Sequence, residues 1–243
     1  MRLKRQRTPQ RQRRGFTLLD LLVSIAVIIV LIGLLLPALG SARETANRVV
    51  CRSNVRQIGL GLFMYADSHQ DFLPHSVYAH PWGARAAAAP QEMMHLRLPA
   101  SESMGLSHHW DGLGVLYSQG YLPTPKIFYC PSYHGSHTFD AYAEAWLEPA
   151  GAIVGNFHYR EFGPKPKRIT LIPPTSALLA DGLRTAQDFS HVDGSNLFRA
   201  DLSVEWFADA NGSFLTALAF NEEGVDSGKI KAAWMKLDTD ATK

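Results

Sequence analysis

The chain has 243 residues, 46 % of them hydrophobic, with a formal net charge of +2. That length suffices for one core of ordinary size once a leader and a membrane helix are set aside. The charge is unevenly placed. Arg2, Lys4, Arg5, Arg7, Arg11, Arg13 and Arg14 put seven positive charges ahead of Gly15 with no acid among them, so the remainder carries 2 − 7 = −5. A mildly acidic body offers no basic patch, which argues against nucleic acid as a partner.

Residues 1–15 form an Arg/Gln-rich leader without core-forming content. From Phe16 to Leu39 the sequence is an apolar helix pattern carrying one carboxylate, Asp20; after Leu21 only Ser24 and Gly33 interrupt Leu, Ile, Val and Ala up to Leu36. At roughly 1.5 Å per residue this segment spans about 36 Å, enough for a hydrocarbon core of about 30 Å. The basic arm reads as a topology signal that stays cytoplasmic and places everything after Leu39 outside. A soluble enzyme gains nothing from such a start. Two ordinary readings compete. One is a secretory signal with Ala38-Leu39-Gly40 as its cleavage site, anchoring or releasing an enzyme or binding protein. The other is a twin-arginine signal built on Arg13-Arg14. A carboxylate inside the apolar region and a run longer than about 7–15 residues argue against both.

The segment RRGFTLLDLL from Arg13 to Leu22 resembles the class III signal of type IV pilins and type II secretion pseudopilins. That resemblance implies cleavage by a prepilin peptidase between Gly15 and Phe16, with N-methylation of Phe16. Asp20 stands where the family usually has Glu, and the resemblance makes it the residue that sets register during assembly. Pro37 falls where pilin helices carry a helix-kinking proline. The implied partners are the prepilin peptidase, other pilin-like subunits in a homo- or hetero-filament, and the membrane. The implied location is the bacterial inner membrane, crossed once, with the N-terminus cytoplasmic and the head periplasmic or on a cell-surface filament. A membrane-tethered binding module that never polymerises is a further alternative.

Residues 40–73 continue the helix as an amphipathic segment. Cys51, Val55, Ile58, Leu62 and Tyr65 recur at helical spacing and form one apolar stripe, while Arg48, Arg52 and Arg56 form a basic face. Asp71 and Pro74 mark the expected end. The stretch Cys51 to Tyr65 with Asp71-Phe-Leu-Pro is similar to a group of pilin-like proteins abundant in planctomycetes. Phe128-Tyr129-Cys130-Pro131-Ser132 matches a second element of that group. A third, a histidine followed nine residues later by Asp-Gly, is met by His191 and Asp201 but has Leu202 in place of the glycine.

Residues 74–243 are expected to form a globular head. Within it residues 76–109 read as an irregular excursion, broken by Pro81, Pro90 and Pro99. Gly112–Tyr121 suggests a short helix or turn. Strands are expected at Lys126–Tyr129, Ile153–Tyr159, Arg168–Ile172, Ser176–Ala180 and Phe214–Phe220, with a hairpin of Asn196–Arg199 and Leu202–Phe207 and a turn at Asp181-Gly182. A polar tail containing Trp234 closes the chain. The fold class is α+β, a long N-terminal helix packed on a small, mostly antiparallel sheet in the manner of pilins.

No catalytic constellation stands out, and the chain reads as a non-enzyme. There is no GxSxG, and Ser190-His191-Val192-Asp193 is only a neighbourhood in sequence; His191 reads as a hydrogen-bonding residue of the C-terminal hairpin. The ten histidines include two close groupings, His108-His109 and His134/His137, but neither has a metal-ligand spacing, so no metal site is assigned. A structural calcium held by Asp181, Asp193 or Asp201 with loop carbonyls is the one cofactor alternative. In an extracytoplasmic head, two cysteines leave open either a disulfide between Cys51 and Cys130 or two separate thiols.

Overall fold

The computed structural model describes residues 18–79, 89–99, 110–149, 151–162, 167–191 and 193–239. Gly15, Phe16, the leader, His108, His109 and most of the 76–109 excursion lie outside these residues. Helix α1 (Leu18–Ser68) is a single 51-residue element. The chain divides into two compact units, residues 1–44 and 45–243. In the first unit α1 carries its apolar side chains in the open: Leu18 is 87 % exposed and Leu34 72 %. It is the one helix among the described residues long and apolar enough to cross a membrane. The helix continues through Pro37, which lacks an N–H for the i−4 carbonyl.

In the second unit α1 buries Cys51, Val55, Ile58, Gly59, Gly61, Leu62 and Ala66. Tyr65, expected in this stripe, is half-buried and stacks on His69 at 3.8 Å between ring centroids. The helix stops at Ser68, ahead of the expected marks, because Gln70 and Asp71 take positive φ and the Asp71 N–H turns back to the Ala66 carbonyl at 2.8 Å.

Four strands, β3 (Phe157–Tyr159), β4 (Ala177–Asp181), β5 (Gly194–Arg199) and β6 (Val204–Ala208), form an antiparallel sheet in that order. Strands β1 (His95–Arg97) and β2 (Ile153–Val154) pair separately. Strand alternation sorts the residues of the four-stranded sheet between two cores. Leu179 and Phe198, paired across β4 and β5, join the α1 stripe in one cluster. Their neighbours Ala180 and Leu197 join a second cluster with Ile230, Ala233, Trp234 and Leu237 of helix α4 (Ser227–Thr239). The sheet is therefore covered on one face by α1 and on the other by α4. Helices α2 (Gly114–Ser118) and α3 (Phe139–Leu147) complete the head. Buried Arg97 donates to the carbonyls of Ala145, Glu148 and Gly151 at 2.6–2.8 Å, which satisfies the C-terminal end of α3.

The α+β class, the helix at Gly112–Tyr121 and the β5–β6 hairpin stand as expected. Other segments differ. The Lys126–Tyr129 segment is mostly a 3₁₀ turn, Pro125–Phe128, started by a proline whose missing N–H suits a first helical position. Arg168–Ile172 is a single bridge, Phe72 to Arg168, followed by a 3₁₀ turn. Phe214–Phe220 is not a strand, because Asp209 accepts the N–H groups of Phe214 and Leu215 and coils the segment into a 3₁₀ turn. The expected polar tail is α4. Gly155-Asn156 splits Ile153–Tyr159 into two strands of different sheets. Asp181 ends β4 as a buried strand residue opposite Phe157, with no tight hairpin at Asp181-Gly182.

Candidate functional site

Where α1 crosses the sheet, four polar side chains meet in the apolar interior. Cys51 comes from the buried stripe of α1, and Asp181 from the last position of β4. Cys130 follows the 3₁₀ turn at Pro125–Phe128, and His191 lies just ahead of β5, bridged to Gly194. All four are buried, and one donor atom from each lies within 4.8 Å of the others. Cys51 Sγ is 2.8 Å from Asp181 Oδ1, Cys130 Sγ is 3.5 Å from His191 Nε2, and that nitrogen is 3.8 Å from Asp181 Oδ2.

Backbone contacts hold the group in place. The Asn196 N–H donates to Asp181 Oδ2 at 2.6 Å, and the Cys130 N–H donates to Asn156 Oδ1 at 2.6 Å. Asn54, one turn along α1 from Cys51, donates to the Tyr129 carbonyl at 3.1 Å and ties the helix to the Cys130 loop. The His191 ring meets Trp206 edge to face at 5.5 Å, and Arg48 lies over the other ring of that pair, 3.9 Å from the Trp206 centroid. Arg48 also reaches Asp193 at 2.5 Å, and Arg52 donates to the Val204 carbonyl at 3.1 Å. Two members of the expected basic face thus dock α1 on the β5–β6 hairpin.

Burial shapes the protonation of this group. Loss of water pushes the Asp181 carboxyl above its ordinary range, although His191, Cys51 and the Asn196 N–H pull the other way. Burial, the Cys130 hydrogen bond and the negative field of Asp181 push Cys51 well up. Burial also raises Cys130, but hydrogen bonds from Cys51 and His191 outweigh it and bring that thiol to about 7.

Cys130, His191 and Asp181 invite comparison with a nucleophile–base–acid relay, and the geometry rejects it. A relay uses one imidazole nitrogen for the nucleophile and the other for the carboxylate; here Nε2 faces both groups. The donors converge on one point. Ser190 and Asp193 add nothing to a relay: Asp193 is 59 % exposed and paired with Arg48, and Ser190 Oγ finds no partner. Beside the cluster a cleft of about 570 Å³ is lined by Asn54, Lys126, Cys130, Pro131, Tyr133 and Phe139, among others.

The remaining expected residues sit apart. His191 and Asp201 flank β5 at its two ends, the first buried and the second exposed, where Asp201 accepts from the Ser203 N–H at 2.9 Å. Among the described residues Asp181 groups with Cys51, Cys130 and His191 rather than with Asp193 or Asp201. His137 is held by Tyr142 and Arg184, both at 2.8 Å, while His134 is exposed in the same loop. Both cysteines are buried free thiols in this structure. Asp20 is exposed in the first turn of α1, where the helix dipole favours a carboxylate, and the Ser24 hydroxyl donates to its carbonyl.

The profile of the family described as "Protein of unknown function (DUF1559)" matches residues 40–165. The chain belongs to that family. The matched part runs from Gly40 within α1 to just past β3 and includes Cys51 and Cys130; Asp181 and His191 lie beyond it. Family membership and a long apolar N-terminal helix ahead of an α+β head agree with a pilin-like protein. No curated protein and no solved structure matches the chain.

Sequence reasoning reached Cys51, Cys130 and His191 one by one, and placed Asp181 in a turn and among candidate calcium ligands, but did not join the four. No local signal marked the group, because a free cysteine in a buried helix stripe packs as an ordinary small hydrophobe.

Proposed function

We propose that the chain is a structural, non-enzymatic pilin-like subunit. It inserts in the inner membrane by its N-terminal helix, is cut between Gly15 and Phe16, and joins a pilus or a secretion pseudopilus. The observation that carries this reading is the exposed apolar half of α1. Leu18, Leu22, Val30, Leu34, Leu35 and Leu39 are each more than 60 % exposed, far more contiguous apolar surface than a monomer leaves in water. Lipid covers such a surface before assembly, and the equivalent helices of neighbouring subunits cover it afterwards.

Asp20 gives this packing its register. A carboxylate costs about 2.5–3.5 kcal/mol at the centre of an apolar span on insertion scales and less near its end, where Asp20 lies, so a cation supplied by a neighbouring subunit would offset what remains. A free amine on Phe16, created by cleavage, is the natural mate, since opposite charges in a low dielectric select one axial offset over others. The head, outside the membrane, forms the filament surface.

Mass spectrometry of the native N-terminus is the direct check. The expected species begins at N-methylated Phe16; a start at Ser41 would instead indicate conventional secretion, and an intact Met1 would overturn processing. Asp20→Ala is expected to insert in the membrane like the wild type while losing incorporation into sedimentable filaments. Normal incorporation of that variant would remove Asp20 from the assembly step.

A further inference from the structure

We infer that Cys51, Cys130, Asp181 and His191 form a structural site for a thiophilic divalent metal ion of the zinc class. Four donors from four separate segments converge on one buried point. Tetrahedral zinc sites place sulfur at about 2.3 Å and imidazole or carboxylate at about 2.0–2.2 Å from the ion, which sets donor–donor edges of roughly 3.3–3.8 Å. The observed 3.5 Å from Cys130 to His191 falls on the sulfur–nitrogen edge, and the 3.8 Å from His191 to Asp181 closes by a few tenths of an ångström to reach the shorter nitrogen–oxygen edge of about 3.3–3.6 Å. The 2.8 Å contact from Cys51 to Asp181 is a thiol hydrogen bond that must open by about 0.7–0.9 Å to the sulfur–oxygen edge once the proton leaves.

Charge and compensation favour an ion over the alternatives. Asp181 is completely buried, and a buried carboxylate needs a cation or a full set of donors. A Cys51–Cys130 disulfide would remove the thiol that now donates to Asp181 and leave that carboxylate with less. A divalent ion instead takes all four groups at once. On binding, the two thiols release their protons to solvent, and the ion is bound by two thiolates, one carboxylate and the neutral imidazole Nε2. Two sulfurs select zinc-like ions over calcium or magnesium, which prefer all-oxygen shells. The Asn196 N–H on Asp181 Oδ2 already provides the outer hydrogen bond that orients such a ligand. All four protein positions are occupied and buried, which marks a structural site without an open coordination position. The ion would pin α1 to the Cys130 loop and to the sheet. It approaches by way of the cleft that Cys130 lines.

The test uses the full chain, solubilised in detergent and purified without chelators. About one zinc per chain is expected by elemental analysis, as for a closed four-ligand site. Exchange with Co(II) alone should give intense visible ligand-field bands and a near-ultraviolet thiolate-to-cobalt charge-transfer band. Cys130→Ser and His191→Gln should each lower zinc affinity at least about tenfold, in line with loss of a ligand or its support. His134→Gln, in an exposed loop, should leave it unchanged. The Co(II) spectrum of the wild type reads the site even if a ligand variant fails to fold. Wild-type protein that takes up neither Zn(II) nor Co(II), with both cysteines reacting as free thiols, overturns the inference. So does a Cys51–Cys130 disulfide in native protein with no bound metal.

Discussion

At Leu202 the backbone takes a φ of +70°, the left-handed region that a branched side chain enters at a cost. The residue closes the β5–β6 hairpin: the Leu202 N–H returns to the Arg199 carbonyl at 3.1 Å, and the Arg199 N–H bonds the Ser203 carbonyl at 3.0 Å. This is a three-residue loop whose last position wants glycine. Leucine therefore stores strain at this position, and glycine would relieve it. Leu202→Gly is expected to raise stability by about 0.5–1 kcal/mol, the left-handed penalty of leucine less the extra unfolded-chain entropy of glycine. Urea unfolding of the two proteins checks this. A destabilised variant would mean that the half-exposed leucine side chain contributes packing worth more than the strain.

Helix α1 can lie close to the sheet because Gly59 has no side chain. A Cβ built there would come within 2.2 Å of the Phe198 ring on β5. Gly59→Ala should therefore cost about 1–3 kcal/mol by overpacking, although the same change in an open helix gains up to about 1 kcal/mol. Gly40→Ala, where an added Cβ meets nothing within 4 Å, is the matched control on the same helix and should be neutral or stabilising. Thermal unfolding of both variants decides the point. At this scale the sequence was legible wherever periodicity was long. The α1 stripe and the β5–β6 hairpin could be read directly, because each repeats its pattern over several residues. Short apolar runs could not be resolved, since Lys126–Tyr129 and Phe214–Phe220 fit a strand or a 3₁₀ turn equally well until a proline or Asp209 decides. Helices α3 and α4 did leave signals. Ile230, Ala233, Trp234 and Leu237 fall at helical spacing, and Thr138 caps α3 by accepting the Ala141 N–H. The low overall hydrophobicity of α4 and the nine-residue length of α3 hid them. The four-donor cluster was beyond reach for a different reason: its members are scattered from position 51 to position 191, and only the antiparallel sheet brings them together.

Across the whole head, two buried groups impose opposite pH dependences. His158 donates to the Pro90 carbonyl at 2.7 Å, packs edge-on against Trp234, and has Asp188 and Arg184 in its field. Burial lowers it from 6.5 to about 4, so the unfolded chain binds the extra proton first. Stability from His158 is complete above pH 6.5 and is lost as pH falls toward about 4, by roughly 3 kcal/mol. Asp111 accepts from the Ser76 hydroxyl and the Val77 N–H at 2.6 and 2.8 Å, with His75 and Glu161 nearby. Burial raises it from 3.8 to about 6, so the folded state binds the proton first and regains roughly 3 kcal/mol as pH falls through that window. The two contributions nearly cancel between pH 4 and 6, and neither is visible in the wild type. Single variants separate them. Asp111→Asn should be more stable than the wild type at pH 7, with that advantage vanishing by pH 4 as the wild-type Asp111 takes up its proton and sheds its burial penalty. His158→Gln keeps a donor for the Pro90 carbonyl and should move the other way, gaining on the wild type as pH falls from 6.5 to 4. Urea midpoints of the three proteins at pH 7 and pH 4 carry the test. Parallel shifts in both variants would mean that these two sites do not govern the acid response, and that the exposed carboxylates of the head set it instead.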